Sequence, residues 1–225
     1  MRTAAILPVK RFAAAKSRLG ETVAEQLRAR LAQAMVADVL SALAQVSTLE
    51  ATIVITREPS LPALAAAHGA VTIEDTAEQG QSAAVALGVR HAIAEGYERV
   101  LCVPGDCPAL DPRELEALLR TADASVVIVS DRHGTGTNGL LLAPPDAIEP
   151  SFGPDSCERH RALASQAGAS CRVEPVASLL LDVDTGADLA ALRERLAGAP
   201  LPAERTRAVL GSAEELPAVA IDRAG

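Results

Sequence analysis

Two short stretches of this 225-residue chain end an apolar run on carboxylates. One runs through Val100-Leu101-Cys102-Val103 into Pro104-Gly105-Asp106-Cys107-Pro108, and the other is Leu179-Leu180-Leu181-Asp182-Val183-Asp184-Thr185. A carboxylate released from a buried strand by a Gly/Pro turn arrives at the C-terminal rim of an open α/β sheet, where ligands bind in that architecture. Asp106 therefore reads as a magnesium ligand, because a hard cation takes carboxylate oxygen; the competing reading is an Asp that serves its own turn. In the second stretch, strand alternation puts Asp182 and Asp184 on one side. Two acidic strand ends from distant parts of the chain would grip one Mg²⁺ and its attached phosphates, the charge neutralisation that nucleotide transfer demands.

The cations fit the same chemistry. Only two lysines occur, Lys10 and Lys16, in the segment Pro8-Val9-Lys10-Arg11-Phe12-Ala13-Ala14-Ala15-Lys16-Ser17-Arg18; positive charge elsewhere is arginine. This segment follows the first apolar run, at the place where α/β sheets hold phosphates. Lys10, Lys16 and Arg18 would steady a departing pyrophosphate, with Lys16 the first choice, against the alternative of a solvated basic loop. It is not a Walker A loop, since Ala15 occupies the glycine before the lysine and Lys10 stands where the first glycine belongs. Nor does a GxGxxG follow the first strand.

Three further segments suit ligands. Asp131-Arg132-His133-Gly134-Thr135-Gly136-Thr137-Asn138-Gly139 is too rich in glycine and hydroxyls for a core, and offers donors to a small anion. Phe152-Gly153-Pro154-Asp155-Ser156 opens a helix carrying Arg159, His160 and Arg161, where helix amides and cations favour anions. The bland account is a flexible turn and a well-capped helix. Gly80 and Ser82, at another helix start, would let a nucleotide lie against the backbone and bond its base or ribose, unless they are only a Gly–Ser cap.

These residues need a frame. Apolar runs at 4–7, 51–56, 70–74, 100–103, 125–130, 139–142, 171–176 and 179–183 read as strands. Helical periodicity predicts helices at 21–45, 61–68, 82–95, 113–120, 156–166 and 187–196. Asp111 caps the fourth helix with Pro112 at its first position, and Thr185 with Asp188 forms a capping box for the last. Alternation of strand and helix gives βαβ units around a largely parallel sheet in one domain, residues 1–198. Residues 199–225 form a tail without a clear pattern, although Val209-Leu210 has the means to dock.

Composition narrows the partners. The only aromatics are Phe12, Phe152 and Tyr97, so base-stacking platforms are lacking, and a net charge of −8 argues against a nucleic-acid polymer. Cys102, Cys107, Cys157 and Cys171 have no zinc spacing, and Cys102 reads as a buried hydrophobe. No apolar run has membrane length, and none marks a secretory leader, so no membrane partner and a cytoplasmic location are expected, with a homodimer left open.

Taken together, Pro8-Val9-Lys10…Lys16-Ser17-Arg18-Leu19, Gly105-Asp106-Cys107-Pro108, Gly134-Thr135-Gly136-Thr137-Asn138, Phe152-Gly153-Pro154-Asp155-Ser156 and Leu181-Asp182-Val183-Asp184-Thr185 resemble one family. It is the guanylyltransferases of coenzyme F(420) biosynthesis, which act on 2-phospholactate or phosphoenolpyruvate. The resemblance implies a nucleotide-diphospho-sugar transferase-like, Rossmann-like α/β fold with a mixed, mostly parallel sheet flanked by helices. It implies transfer of GMP from GTP to the acceptor's phosphate with release of pyrophosphate. Thr137, Gly153 and Ser156 would hold the acceptor; Asp106 with Asp184, and Asp182 beside them, would hold Mg²⁺. Pro8, Lys10, Lys16, Arg18, Gly80 and Ser82 fall at the nucleotide, and Lys16 and Asp106 carry the catalytic roles. Phosphoenolpyruvate is the expected acceptor, with 2-phospho-L-lactate or 3-phosphoglycerate as alternatives. Rival readings are a molybdopterin or sugar-phosphate nucleotidyltransferase, and a nucleotide-binding regulatory module without turnover.

Overall fold

Seven strands form the central sheet of the computed structural model, which describes residues 1–14, 25–198 and 202–214. They are β1 (Thr3–Val9), β2 (Ala51–Thr56), β3 (Val71–Glu74), β4 (Arg99–Cys102), β5 (Val126–Ser130), β6 (Thr137–Leu142) and β7 (Cys171–Val173). Their order is β3-β2-β1-β4-β6-β5-β7, all parallel except that β6 runs antiparallel to β4 and β5. Helices α1 (Glu25–Leu43), α2 (Leu61–Ala67) and α4 (Pro112–Thr121) cover one face, and α3 (Gln81–Ala94) and α5 (Ser156–Gln166) the other. Helices α6 (Gly186–Gly198) and α7 (Glu204–Glu214) follow.

β1 shows how the layers are held. Ala5 and Leu7 pack with Val36, Val39 and Leu40 of α1, whereas Ala4 and Ile6 pack with Val85, Val89 and Ala92 of α3. A strand covered on both faces has no polar side, which is why these strands read as continuous apolar runs. Gly88 brings α3 against the strand: a Cβ there would lie 2.6 Å from Ile6 Cγ2.

Strand order reverses between β1 and β4, so the crevice beyond their C-terminal ends is the ligand position of this topology. Cys102 of β4 pairs with Leu140 of the antiparallel β6. The first residues of β6, Thr137 and Asn138, therefore lie at that same rim, beside the turn that carries Asp106.

One expectation changes. Residues 179–183 are not a strand. Pro175 follows β7, a single 3-10 turn covers Ala177–Leu179, and the chain then runs on without a ladder. Its backbone groups go to the rim: Arg132 N–H donates to the Leu180 carbonyl at 2.9 Å, and Val183 N–H to the Asp106 carbonyl at 3.1 Å. Leu181 and Val183 are buried while Asp182 and Asp184 are only half-buried, so the two carboxylates share a side without a sheet.

Helix α7 fills part of a segment whose sequence shows no clear pattern, and Val209-Leu210, the pair with the means to dock, does so within it. Buried Asp38 of α1 accepts the N–H groups of Arg205 (3.1 Å) and Thr206 (2.8 Å), the opening amides of α7. An anion meets the positive end of a helix dipole there. Ala203 and Leu210 complete a cluster with Leu31, Met35, Leu189 and Leu192. Among the described residues, no helix is long and apolar enough to cross a membrane.

Replacing Asp38 with Ala leaves two buried amides unmatched, for an expected loss of about 2–3 kcal/mol. Thermal unfolding should show this as a fall of roughly 4–10 °C. Unchanged melting would mean that this contact does not hold α7.

Candidate active site

The site is assembled from the strand ends. β1 ends in half-buried Pro8 and exposed Lys10. Arg11 is committed elsewhere, bidentate to Glu78 at 2.9 and 3.2 Å with Arg57 on the same carboxylate. Lys16 and Arg18 lie outside the described residues. After β4, Gly105 lets the turn sit against α1, since a Cβ there would be 3.0 Å from Val36 Cγ2. That close approach delivers Asp106 to the rim, half-buried and with one carboxylate oxygen shielded from solvent.

Asp182 meets it there. Burial pushes the Asp182 carboxyl above the ordinary carboxylate range, and the negative charge of Asp106, with a smaller contribution from Asp184, pushes it the same way. The two acidic ends, 76 residues apart by number, thus share one electrostatic site. Asn138 opposes the upward push. Its amide nitrogen donates to the Leu179 carbonyl at 2.8 Å and to Asp182 Oδ1 at 3.2 Å. Both neighbours are acceptors, so only the nitrogen can face them. Among the described residues, no three His, Cys, Asp or Glu side chains converge enough to hold a metal by themselves. That donor set suits a magnesium ion completed by substrate phosphates and water, not a closed protein cage.

The Asp184 end is fixed from behind. Asp188 accepts Thr185 N–H (2.7 Å), Thr185 Oγ1–H (2.8 Å) and Asp184 N–H (3.1 Å), and pairs with Arg132. Burial raises the Asp188 carboxyl, but these hydrogen bonds and Arg132 outweigh it and leave the group below its ordinary value. The expected capping box of Thr185 and Asp188 is present, as is the Asp111 cap on α4.

The glycine-rich loop behaves differently from an open anion cradle. Asp131 Oδ1 accepts the N–H groups of His133 (3.1 Å) and Thr135 (3.0 Å), so the loop spends these amides on itself. Gly136 is needed because a Cβ would lie 2.7 Å from Asp131 Oδ2. The loop supplies Thr137 at its end instead. Thr137 Oγ1 lies 3.1 Å from Nδ1 of fully buried His160, whose Nε2 accepts Ser151 N–H at 2.9 Å. Burial, and secondarily the Arg159 charge, pushes the imidazole down to about 4, so it is neutral near pH 7.

Gly153 (φ +111°) and Asp155 (φ +56°) turn the chain into α5, the first in a conformation that suits glycine alone. Ser156 is buried and its N–H donates to the Gly153 carbonyl at 3.1 Å. Cys157 N–H donates to the Thr135 carbonyl at 3.0 Å, joining this turn to the glycine loop. Gly80 (φ +98°) faces open space, with no atom within 4 Å of a built Cβ. Ser82 is partly committed, since its Oγ accepts Phe152 N–H at 2.8 Å. The structure thus brings Asp106 to Asp182, Thr137 to the 151–156 turn, and Ser82 to that turn as well. Arg159 and His160, expected as cations that favour an anion at this helix start, do otherwise: His160 is buried and neutral, and Arg159 is bonded to the Ser151 and Phe152 carbonyls. Nothing in the spacing of Asn138 marked it as a clamp.

A seven-stranded mixed sheet with two acidic loop ends at its switch point is the architecture of the nucleotide-diphospho-sugar transferase-like class. Solved structures agree on that fold: a protein of Desulfovibrio desulfuricans G20, provisionally assigned as a nucleotide-diphospho-sugar transferase, superposes with TM-score 0.77 at 20% identity, covering 95% of this chain and 96% of that one. Residues 3–195 match the family described as "Guanylyl transferase CofC like", and the chain belongs to that family. A phosphoenolpyruvate guanylyltransferase of Conexibacter woesei is 51% identical over 213 residues, 93% of this chain and 96% of the relative. A 3-phospho-D-glycerate guanylyltransferase of Phenylobacterium zucineum is 37% identical over 190 residues, 82% of this chain and 86% of the relative.

Asp182 must be ionised to bind a cation, and its hydrogen bond from Asn138 favours the ionised form. Asn138→Leu should therefore lower activity about 10- to 100-fold and move the acid limb of the pH–rate profile to higher pH. A limb that stays in place would contradict the clamp.

Proposed function

We propose that this chain transfers GMP from GTP to the phosphate of phosphoenolpyruvate, in coenzyme F(420) biosynthesis. The observation that carries this is the meeting of Asp106 and Asp182 at the rim, beside an acceptor site built from Thr137, Gly153 and Ser156. A phosphate oxygen of the acceptor forms a bond to the α-phosphorus of GTP, and the bond from that phosphorus to the bridging oxygen breaks, releasing pyrophosphate. No protein nucleophile is required; positioning and charge neutralisation suffice. Asp106 and Asp182 would hold Mg²⁺, with Asp184, two residues on and on the same side, as the third candidate ligand; bound there, the ion would neutralise phosphate charge. A half-buried carboxyl raised by a neighbouring carboxylate fits a cation, because binding removes their repulsion.

Lys10 stands exposed where β1 ends and would steady the departing pyrophosphate, the task assigned from sequence to Lys16 and Arg18 as well. Gly80 gives a nucleotide open backbone to lie against. A three-carbon acid is favoured over a sugar or pterin by the relatives' acceptors. Four free cysteines, three of them buried, support a reducing, cytoplasmic setting.

The test is incubation with GTP and Mg²⁺ against phosphoenolpyruvate, 2-phospholactate and 3-phosphoglycerate, with products identified by mass. Guanylylated phosphoenolpyruvate should form fastest; pyrophosphate release with none of the three would refute the proposal. Asp106→Asn should reduce turnover by on the order of 10²–10³-fold while leaving thermal unfolding close to wild type. A near-normal rate would remove Asp106 from the metal site.

A further inference from the structure

Two adjacent side chains of α5, Arg159 and His160, lie beneath the acceptor turn. Nothing in the proposed chemistry uses them, yet together they control which way the turn's polar groups face. Arg159 Nη2 donates to the carbonyls of Ser151 and Phe152, both at 3.1 Å, Nη1 donates to the carbonyl of Pro154, and Nε donates to Ser151 Oγ at 3.1 Å. The only cis peptide among the described residues is Ala143–Pro144, so the peptides of this turn are trans and each N–H points opposite its carbonyl. With three carbonyls drawn to the guanidinium, the N–H groups of Phe152, Gly153 and Asp155 face away from it. The Phe152 amide shows the effect directly, since it reaches Ser82 Oγ on the far side.

His160 does the same for the hydroxyl. A backbone N–H can only donate, so Ser151 fixes Nε2 as an acceptor. The neutral ring must then carry its proton on Nδ1 and donate to Thr137 Oγ1. The Thr137 hydroxyl proton is left to point elsewhere.

We propose that Arg159 and His160 are positioning residues that set the polarity of the acceptor site. By occupying its carbonyls and the Thr137 oxygen, they leave it presenting hydrogen-bond donors. Such a surface fits an ionised carboxylate or phosphate, which only accepts, and disfavours neutral groups that must also donate. This inference rests on the acceptor-site reading above.

The first test uses the wild-type protein. With ¹⁵N-histidine labelling, His160 is one of four histidines, and long-range ¹H–¹⁵N correlation reads its tautomer. Protonation on Nδ1 is expected; a proton on Nε2 would overturn the proposal. The second test compares variants. His160→Asn keeps a side-chain N–H near the Nδ1 position, whereas His160→Gln reaches toward Ser151 and leaves Thr137 without its donor. The Gln variant should raise KM for phosphoenolpyruvate about 10- to 100-fold, with the Asn variant in between and KM for GTP within about twofold. Combining Gln with Thr137→Val should add little to the effect of Thr137→Val alone. An unchanged acceptor KM, or equal rises in both KM values, would contradict the proposal. Wild-type protein that turns over none of the acids would defeat the proposed function, whereas the tautomer reports on His160 independently of turnover.

Discussion

Two like charges held together set the terms for the rest of this molecule. Burial and the neighbouring charge of Asp106 raise the half-buried Asp182 carboxyl, a repulsion that a bound cation would relieve. The surrounding structure works against that repulsion. Gly105 packs one loop onto α1, Val183 N–H ties the other loop to the Asp106 carbonyl, and Asn138 binds Asp182 and the Leu179 carbonyl together. Behind them, Asp188 and Arg132 fix the peptide that follows.

The short antiparallel strand β6 joins the Asp106–Asp182 side of the rim to the 151–156 turn. Consecutive strand residues point to opposite faces, and here Asn138 reaches Leu179 and Asp182 while Thr137 reaches His160 on α5. One peptide unit therefore couples the two halves of the rim. The imidazole of His160 passes the order on to Ser151, and Ser82 at the start of α3 receives the next amide. The start of α3 and the 151–156 turn are thereby registered through hydrogen bonds, the precision that the proposed in-line transfer would require.

Much of the fold is legible in the sequence, because strands buried on both faces leave long apolar runs and helices leave periodic ones. The Asp106 turn is legible for the same reason: a Gly/Pro break after such a run has few other uses. The second acidic end is only half legible. Its apolar–acidic alternation predicts which side the carboxylates take, but whether the segment finds a ladder partner depends on β7 ending at Val173 and on Arg132 and Asn138 taking its carbonyls. Helix α7 escapes for a similar reason, since its partner Asp38 lies 167 positions from Arg205. The Asp131 loop is the instructive case. Its composition advertises amide donors, yet one carboxylate within the loop consumes them. Residues that act by holding other residues, such as Asn138 and His160, carry no spacing of their own.

The central claim is that Asp106 and Asp182 form one cation site shared with the nucleotide's phosphates. Its most direct measurement is a crystal structure with Mn²⁺ and a non-hydrolysable GTP analogue, located by anomalous scattering. The account predicts an ion with oxygens of both carboxylates and of the nucleotide phosphates at about 2.0–2.3 Å. An ion held by the phosphates alone, with either Asp106 or Asp182 out of its coordination shell, would contradict it.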